Sequence, residues 1–320
     1  MVGGQTSDGS TPSDVPVVAV VGATAAGKTA LSLDLAEALG GEIVNTDAMQ
    51  VYRGMDIGTA KLPEAERRGV RHHLQDLLDV TEPATVAEFQ GRARAVIEDC
   101  RRRGVPPVLV GGSALYTRAV LDRFEFPGTD PDVRARLEDE LAAVGAAAMH
   151  QRLRTADPEA AERILPGNAR RVVRALEVVE ITGRPFTATL PAPSYVFPRT
   201  VQVGVRIPRP VLDARIEERV RRMWRDGLVD EVRRLADRGL REGLTASRAL
   251  GYQQVLAFLD GGCTEAEAFE RTVVGTRRFA RRQESWFLKD ARVAWVNWDD
   301  PDRADRALAA VAAVERGRAG

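Results

Sequence analysis

A glycine-rich loop between a strand and a helix limits most strongly what this chain can fold into. Residues 15–21 (VPVVAVV) form a continuous apolar run, and the segment GATAAGKT, residues 22–29, follows it directly. From Lys28 to Leu39 apolar residues recur at helical spacing, and two glycines end the pattern. A strand, a loop of the form G-x-x-x-x-G-K-[ST] and a helix in this order predict a phosphate-binding loop.

The loop pattern also predicts how a phosphate is held. Backbone N–H groups surround the anion, the Lys28 ammonium adds a positive charge, and the Thr29 hydroxyl can reach Mg²⁺. The predicted phosphate-binding residues are Gly22, Ala23, Thr24, Ala25, Ala26, Gly27, Lys28 and Thr29. A plain glycine turn before a helix is the alternative, and the strand and helix on either side favour the phosphate loop.

Strand and helix signals alternate beyond the loop. Apolar runs at residues 42–46 and 107–110 and an alternating pattern at residues 200–207 predict strands, and residues 293–298 predict a last one. Capping boxes at residues 85–88 and 264–267 predict the starts of two helices. This alternation indicates an α/β fold of the P-loop NTPase type, with a doubly wound parallel sheet.

The pattern changes after residue 124, where only helical signals occur. Asp-Pro pairs begin at Asp130 and Asp157, and Asn168 precedes an amphipathic stretch that Gly183 ends. We therefore predict an all-helical insertion at residues 125–197 within a catalytic core of residues 15–124 and 198–320. The polar residues 1–14 predict a disordered tail.

Composition restricts the kind of partner. Forty-six Lys and Arg residues balance 46 Asp and Glu residues, so an anionic partner must be met by local clusters of charge. The two cysteines have no zinc-binding spacing, no apolar run approaches the roughly 18 residues of a membrane span, and residues 1–14 lack a signal core. We expect a cytoplasmic monomer that does not enter the membrane.

A carboxylate stands at the end of a strand beside the loop. Asp47 follows the run at residues 42–46, whereas the strand at residues 107–110 continues into Gly111-Gly112-Ser113 without an acidic residue. Asp47 is a candidate Mg²⁺ ligand, general base or helix cap, and the residues alone leave these roles open. The missing carboxylate after residue 110 argues against a P-loop kinase.

Several blocks of sequence resemble bacterial tRNA dimethylallyltransferases. In chain order they are GATAAGKTALSLDLA, VNTDAMQVYRGMDIGTAK, His72-His73-Leu74, VGGSALY, NARRVVRALEVVEITGRP, LGYQQ and TRRFARRQESWF. The resemblance covers about residues 17–298. It implies transfer of a dimethylallyl group from dimethylallyl diphosphate to the exocyclic N6 amine of the adenine 3′ to the tRNA anticodon, with diphosphate as the leaving group and Mg²⁺ as the cofactor.

The resemblance also implies roles for single residues. Asp47 is expected to orient the amine and accept its proton, and Thr29, through Mg²⁺, and Arg248 are expected to stabilise the departing diphosphate. The residues expected to contact tRNA are Asp47, Ala48, Met49, Gln50, Ser113, Arg134, Arg170, Arg171, Arg174, Arg281, Arg282 and Gln283. Two positions depart from the family pattern: Ser113 stands where most members carry Thr, and Gln253 replaces a basic residue.

Charge spacing supports the expected tRNA contacts at Arg281 and Arg282. Six basic and two acidic residues lie between Phe269 and Lys289, and Arg277/Arg281 and Arg278/Arg282 are pairs at i,i+4 spacing. Stacked like charges repel unless an anion lies between them, so we expect RNA at Arg281 and Arg282.

Other features are interpreted as structural. Residues 101–103 and 219–222 are expected to be solvated basic helix faces. His72 and His73 lack a third metal ligand at suitable spacing. The aromatic residues Trp286, Phe287, Trp295 and Trp298 are expected to pack in the core or at its edge, and stacking on bases is the alternative. The rival functions are prenyl transfer to free AMP and an ATP-dependent P-loop kinase or nucleic-acid-binding protein.

Overall fold

The computed structural model describes residues 15–123, 126–186 and 192–316. Within them the chain divides into two compact units, one of residues up to 122 and from 194 onward, the other of residues 123–193. The predicted tail at residues 1–14 lies outside the described residues.

The first unit contains one parallel sheet, as the α/β prediction required. Among the described residues its strands are β1 (Val17–Val21), β2 (Glu42–Asn45), β3 (His72–His73), β4 (Pro107–Val110), β5 (Thr200–Arg206) and β6 (Val293–Asn297). Their order is β3-β2-β4-β1-β5-β6, and every neighbouring pair is parallel. β1 is therefore central, with β4 on one side and β5 on the other.

Helices surround the sheet and build the second unit. In chain order they are α1 (Lys28–Leu39), α2 (Val86–Arg102), α3 (Ala114–Leu121), α4 (Pro131–Ala156), α5 (Pro158–Arg163), α6 (Ala169–Thr182), α7 (Arg209–Arg225), α8 (Leu228–Ala236), α9 (Tyr252–Leu259), α10 (Glu265–Phe287) and α11 (Arg303–Arg316). None of the helices that the structure describes is long and apolar enough to span a membrane.

Both faces of the sheet are buried, which explains the unbroken apolar run of β1. Val17, Ala19 and Val21 pack into a core with residues of α2, α3, α8 and α9. Val18 and Val20 point the other way, into a core with residues of α1, α7 and α11. Burial on both faces removes the alternation of polar and apolar residues that a half-exposed strand would show.

The second unit has a core of its own between α4, α5 and α6. Its helices begin as their sequence signals predict: the side chains of Asp130, Asp157 and Asn168 cap α4, α5 and α6. The left-handed Gly183 ends α6. The helical nature of this segment is thereby confirmed.

Local signals located most elements of the first unit, and three details differ. Thr85 caps α2 and Thr264 caps α10, as predicted. The short strand β3 and helix α3 were not predicted, and the helical signal after residue 209 is divided into α7 and α8 by Gly227, whose φ is 96°.

Candidate active site

The glycine loop connects β1 to α1 and leaves the start of that helix open. Gly27, with φ 105°, occupies the N-cap position, and this left-handed backbone favours a residue without a side chain. The first N–H groups of α1 therefore face the loop without a side-chain cap, which is the arrangement that binds anions. Lys28 Nζ donates a hydrogen bond to the Ala23 carbonyl at 2.7 Å, which holds the ammonium over the loop.

Asp47 lies at the same edge of the sheet as the loop, because the carboxyl ends of parallel strands share one edge. Asp47 Oδ1 accepts a hydrogen bond from the Met49 amide at 2.9 Å. Asn45 fixes the segment further: its Oδ1 accepts from the Asp47 amide at 2.9 Å, and its Nδ2 donates to the Leu74 carbonyl at 3.0 Å. Asp47 Oδ2 has no hydrogen-bond partner among the described residues, so one carboxylate oxygen is available to a ligand.

One cavity brings the phosphate loop and this carboxylate together. Its lining includes Thr24, Lys28, Thr29, Asn45, Asp47, Gln50, Thr59, Ala60, Gly111, Gly112 and Arg219. Burial, with a smaller contribution from Arg219, lowers the pKa of Lys28 to about 8, while Asp47 acts in the opposite direction. The cavity thus combines an anion loop, two cations and a carboxylate.

Arg219 is a site residue that the sequence interpretation missed. The segment at residues 219–222 was expected to be a solvated helix face, which is wrong for Arg219. Burial lowers the pKa of Arg219, Asp47 raises it, and its Nη2 lies 3.4 Å from the Thr59 carbonyl. A second cavity is lined by Ala25, Gly27, Lys28, Thr29, Arg215, Arg219 and Arg222. The spacing i, i+4, i+7 of these three arginines along α7 is the sequence signal that could have identified them.

A buried carboxylate from α8 anchors the wall of the cavity. Glu231 Oε2 accepts hydrogen bonds from the Asp56 and Ile57 amides at 3.1 and 2.8 Å. Its Oε1 accepts from the Gly58 amide at 3.2 Å and from the Tyr252 hydroxyl at 2.6 Å. Residues 59 and 60, which line the cavity, follow directly. Glu231 therefore holds one wall of the cavity from a distant part of the chain.

Gln283 joins α10 to the phosphate loop. Its Oε1 accepts from the Thr24 amide and its Nε2 donates to the Gly112 carbonyl, both at 2.8 Å. A Cβ atom on Gly112 would lie 2.1 Å from Gln283 Nε2, so only glycine permits this approach. Gln283 was predicted to contact tRNA, and in this structure both groups of its amide are bound within the protein.

The structure brings some of the remaining predicted residues to the cavity. Gln50 lines it, and its Nε2 donates to the Thr59 carbonyl at 3.2 Å. Ser113 follows the cavity residue Gly112 and is half-buried, at the start of α3. Arg248 is exposed and lines neither cavity, so the structure does not bring it to the loop.

The arginines predicted in the helical unit fall into two groups. Arg134 and Arg174 both pair with Glu177, which is fully buried, and Arg174 also donates to the Gly128 carbonyl at 3.0 Å. These two cations therefore neutralise a buried charge. Arg170 and Arg171 are exposed on the first turn of α6.

The basic residues of α10 also divide. Arg277 pairs with Glu217 of α7 at 2.8 Å, whereas Arg281 and Arg282 are exposed. Trp286 is 46% exposed and Phe287 is 3% exposed. Trp286 therefore does not pack inside the core, because it projects from a different side of the helix than Phe287. Trp295 and Trp298 are partly buried against the two cores, as predicted.

His73 has neighbours that its sequence spacing did not reveal. Its Nε2 lies 2.7 Å from Glu42 Oε2, and the Cys100 thiol lies 3.5 Å from the same oxygen. Arg103 donates to both oxygens of Glu42 at 2.9 and 2.7 Å and, as the main cause, lowers the pKa of that carboxyl to about 2. Arg103 is therefore not a solvated residue of a helix face. A metal ion beside His73 would need the Glu42 carboxylate as a ligand, and the Arg103 guanidinium already binds both of its oxygens.

Oxygen donors suited to Mg²⁺ stand in the cavity with the phosphate loop. The Thr29 hydroxyl and the Asp47 carboxylate both line it, and Mg²⁺ prefers such ligands together with phosphate oxygens. The residues present therefore fit a magnesium ion bound with a phosphate ligand.

Comparisons with known proteins agree with one another. The family described as IPP transferase matches residues 50–290. A tRNA dimethylallyltransferase of Nocardioides sp. is 70% identical over 286 residues, which cover 89% of this chain and 92% of the relative. A relative with the same name from Salinispora tropica is 65% identical over 281 residues, 88% of each chain.

Solved structures give the same result. The tRNA isopentenylpyrophosphate transferase of Bacillus halodurans superposes with a TM-score of 0.70 at 38% identity, over 95% of this chain and 99% of that one. A eukaryotic dimethylallyltransferase acting on tRNA superposes with a TM-score of 0.77 at 26% identity, over 91% of this chain and 76% of that one.

Proposed function

The chain belongs to the IPP transferase family, and on that premise we propose that it transfers a dimethylallyl group from dimethylallyl diphosphate to tRNA. The acceptor is the exocyclic N6 amine of the adenine 3′ to the anticodon, and the products are N6-(dimethylallyl)adenosine and diphosphate. The observation that carries this proposal is the Asp47 carboxylate, which lies in one cavity with the phosphate loop.

Asp47 acts as the general base. The lone pair of an adenine amine is delocalised into the ring, so the nitrogen is a weak nucleophile and must lose a proton once it bonds to carbon. The nitrogen–carbon bond forms as the allylic carbon–oxygen bond breaks, the proton passes to Asp47, and the electron pair of the broken bond leaves with the diphosphate. The hydrogen bond from the Met49 amide holds the carboxylate, and its free Oδ2 accepts the proton.

The leaving diphosphate is bound by the loop amides, Lys28 and Arg219. Negative charge grows on the departing oxygen, and cations already fixed at that place stabilise it without rearrangement. The second cavity, with Arg215 and Arg222, lies against the same loop and gives room for the distal phosphate. Thr29, with Asp47 nearby, would hold a magnesium ion, which would supply further positive charge to the diphosphate.

tRNA is bound by exposed cations and by polar groups at the cavity. We propose phosphate contacts for Arg281 and Arg282 on α10 and for Arg170 and Arg171 on α6. Gln50 reads the edge of the base, with Ala48, Met49 and Ser113 beside it. We further propose that the protein acts as a monomer in the cytoplasm, because its tRNA substrate is found there.

The rival functions fit the cavity less well. A P-loop kinase commonly holds Mg²⁺ with a carboxylate after the neighbouring strand, and here β4 ends at Val110 and is followed by Gly111 and Gly112. A free nucleotide acceptor does not account for a separate helical unit with exposed arginines, whereas a tRNA does.

Labelled dimethylallyl diphosphate distinguishes the three. The protein is incubated with Mg²⁺ and either an unmodified anticodon stem-loop or AMP. Label on the stem-loop alone supports the proposal, and label on AMP alone contradicts it. Transfer of the γ-phosphate of ATP without prenyl transfer would establish the kinase.

No helix starts at Asp47 among the described residues, so the simpler role that substitution tests against the base is that of hydrogen-bond acceptor for the Met49 amide. In Asp47→Asn the amide oxygen still accepts the Met49 hydrogen bond, but the carboxylate is gone. We expect single-turnover transfer to fall by about 10²- to 10⁴-fold while stem-loop affinity stays nearly constant. The control is Asp34→Ala, which removes a carboxylate of α1 that pairs with Arg68. Transfer by Asp47→Asn within about tenfold of the wild type would leave Asp47 only the role of accepting the Met49 hydrogen bond.

A further inference from the structure

Two glutamine side chains meet in the active-site cavity. Gln75 Nε2 donates a hydrogen bond to Gln50 Oε1 at 3.2 Å, and Gln50 Nε2 donates to the Thr59 carbonyl, also at 3.2 Å. Both glutamines line the cavity that contains Asp47. In the proposed function Gln50 reads the edge of the base, and Gln75 has no part.

The backbone on either side of Gln75 places its side chain beside Gln50. The Asp76 amide donates to the Gln50 carbonyl at 3.3 Å, and the Leu74 carbonyl accepts from Asn45 Nδ2 at 3.0 Å. Leu74 and Asp76 both have left-handed backbones, with φ of 63° and 56°. This conformation is uncommon for residues other than glycine. Gln75 thus lies between two neighbours whose positions are fixed by hydrogen bonds.

The Thr59 carbonyl fixes the orientation of both amides. A carbonyl oxygen only accepts hydrogen bonds, and this one also lies 3.4 Å from a second donor, Arg219 Nη2. Gln50 must therefore turn its Nε2 toward Thr59 and its Oε1 toward Gln75. Gln75 must in turn present its own Nε2 to that oxygen.

This orientation leaves Gln75 Oε1 buried, with no hydrogen-bond partner in the part of the chain that the structure describes. A buried acceptor without a partner is destabilising. Turning the Gln75 amide over would place its oxygen against Gln50 Oε1, so the chain of hydrogen bonds sets the orientation of Gln75. The fold thus retains one unpaired oxygen and keeps a donor directed at Gln50.

We propose that Gln75 is a positioning residue, which holds the Gln50 amide in the orientation that recognises the target adenine. This inference rests on the proposed tRNA function and concerns the base-reading part of the same site. A glutamine amide has two hydrogens on nitrogen and two lone pairs on oxygen, so Gln50 keeps one of each for a base. Adenine offers an amine donor beside a ring-nitrogen acceptor, a pair that a glutamine amide matches. Gln50 Oε1 accepts from one hydrogen of the N6 amine, and the other hydrogen passes to Asp47.

The direction of the Gln50 amide decides which base is rejected. Hypoxanthine differs from adenine at C6, where it carries a carbonyl oxygen in place of the amine. Gln50 Oε1, held in place by Gln75, repels that oxygen, whereas a reversed Gln50 amide would donate to it. Asp47 also disfavours a carbonyl there, so only the change caused by a substitution is assigned to Gln75.

The test compares the binding of anticodon stem-loops that carry adenine or hypoxanthine at the target position. Dimethylallyl diphosphate is left out, so the measured Kd does not depend on turnover. Gln75→Met keeps the length of the side chain and removes the donor, and Gln75→Glu keeps the shape and places an acceptor against Gln50 Oε1. Gln151→Met, the same substitution at an exposed position of α4, is the control.

We expect the wild type to prefer the adenine stem-loop, and Gln75→Met to reduce the ratio of the two Kd values by about fivefold or more. Gln75→Glu should reduce the ratio at least as much, because Gln50 then turns its Nε2 toward the carboxylate. Gln151→Met should leave the ratio unchanged. In a Gln50→Met background Gln75→Met should have no further effect, since Gln75 acts only through Gln50.

An equal Kd ratio in the wild type and both Gln75 variants would overturn the proposal. A loss that persists in the Gln50→Met background would do the same, because a general disturbance of the fold does not depend on Gln50. Failure of the proposed function is a different result, namely a wild-type protein that does not prenylate the adenine stem-loop. A wild type that prenylates it, with a Kd ratio that survives both Gln75 substitutions, removes only the role of Gln75.

Discussion

Raising the pH should weaken diphosphate binding through one side chain, Lys28. Burial lowers the pKa of Lys28 to about 8 from an ordinary value of 10.5. The ammonium is therefore charged below pH 8 and loses its proton as the pH rises through that value. An anion bound beside it favours the charged form, so affinity is highest at low pH and falls as the pH passes 8.

The size of the effect follows from the fraction of free protein that carries the charge. With a pKa of about 8, that fraction is about three-quarters at pH 7.5 and about 3% at pH 9.5. If the bound complex keeps its proton, the Kd for dimethylallyl diphosphate rises by about 25-fold over this range. Binding at pH 9 must also take up about 0.9 proton per ligand.

Isothermal titration calorimetry measures both quantities when tRNA is left out, because no transfer takes place without an acceptor. Repeating the titration at pH 9 in buffers of different ionisation enthalpy gives the proton uptake. The ligand itself does not interfere, since a phosphate ester loses its last proton near a pH of about 6. Burial lowers the pKa of His72, which also lines the cavity, so it is already neutral at pH 7.5. Lys28→Arg is the control, because a guanidinium stays charged throughout.

A Kd that changes by less than about twofold between pH 7.5 and 9.5, together with no proton uptake at pH 9, would refute the reasoning. Lys28 would then remain charged in the free protein. The same pH dependence in Lys28→Arg would assign the titration to a different group.

Three further substitutions test other parts of the site. Arg219→Met should raise the KM for dimethylallyl diphosphate by about tenfold or more with tRNA affinity unchanged, and an unaltered KM would remove Arg219 from the diphosphate site. Glu231→Ala leaves three amides and a hydroxyl without their acceptor, so we expect the free energy of unfolding in urea to fall by about 3 kcal/mol and KM to rise. A loss under about 1 kcal/mol would mean that the 56–60 wall is held by other contacts. Replacing Arg281 and Arg282 together by Ala should weaken tRNA binding and lower the slope of log K against log salt by about 1 to 2, and an unchanged slope would indicate a merely solvated face.

Local signals in the sequence were sufficient for the fold and for the phosphate loop. Caps at Thr85 and Thr264, the pattern at residues 22–29 and the apolar runs of the strands each depend on neighbours a few residues away. Asp47 could be placed beside the loop because it follows a strand of a parallel sheet, and such strands end at one edge.

Residues whose partners are remote in sequence could not be identified in this way. Glu231 bonds to Gly58 across 173 residues, and Arg219 reaches Thr59 across 160. Each resembles an ordinary charged residue on an amphipathic helix until tertiary packing is known. Trp286 is the opposite case. An aromatic residue next to the buried Phe287 in the sequence is expected to be buried too, and only the orientation of α10 about its own axis shows that Trp286 is exposed.

The position of β1 has a consequence for how the protein is made. β1 is central in the sheet, but its partner β5 is synthesised only after the entire helical unit, and Val17 pairs with Thr200. A nascent chain that has just completed the helical unit therefore holds an apolar strand with one side unpaired, a state that favours aggregation. The phosphate loop follows that strand directly. About two-thirds of the chain must therefore be synthesised before β1 has both of its neighbouring strands and the loop is fully supported.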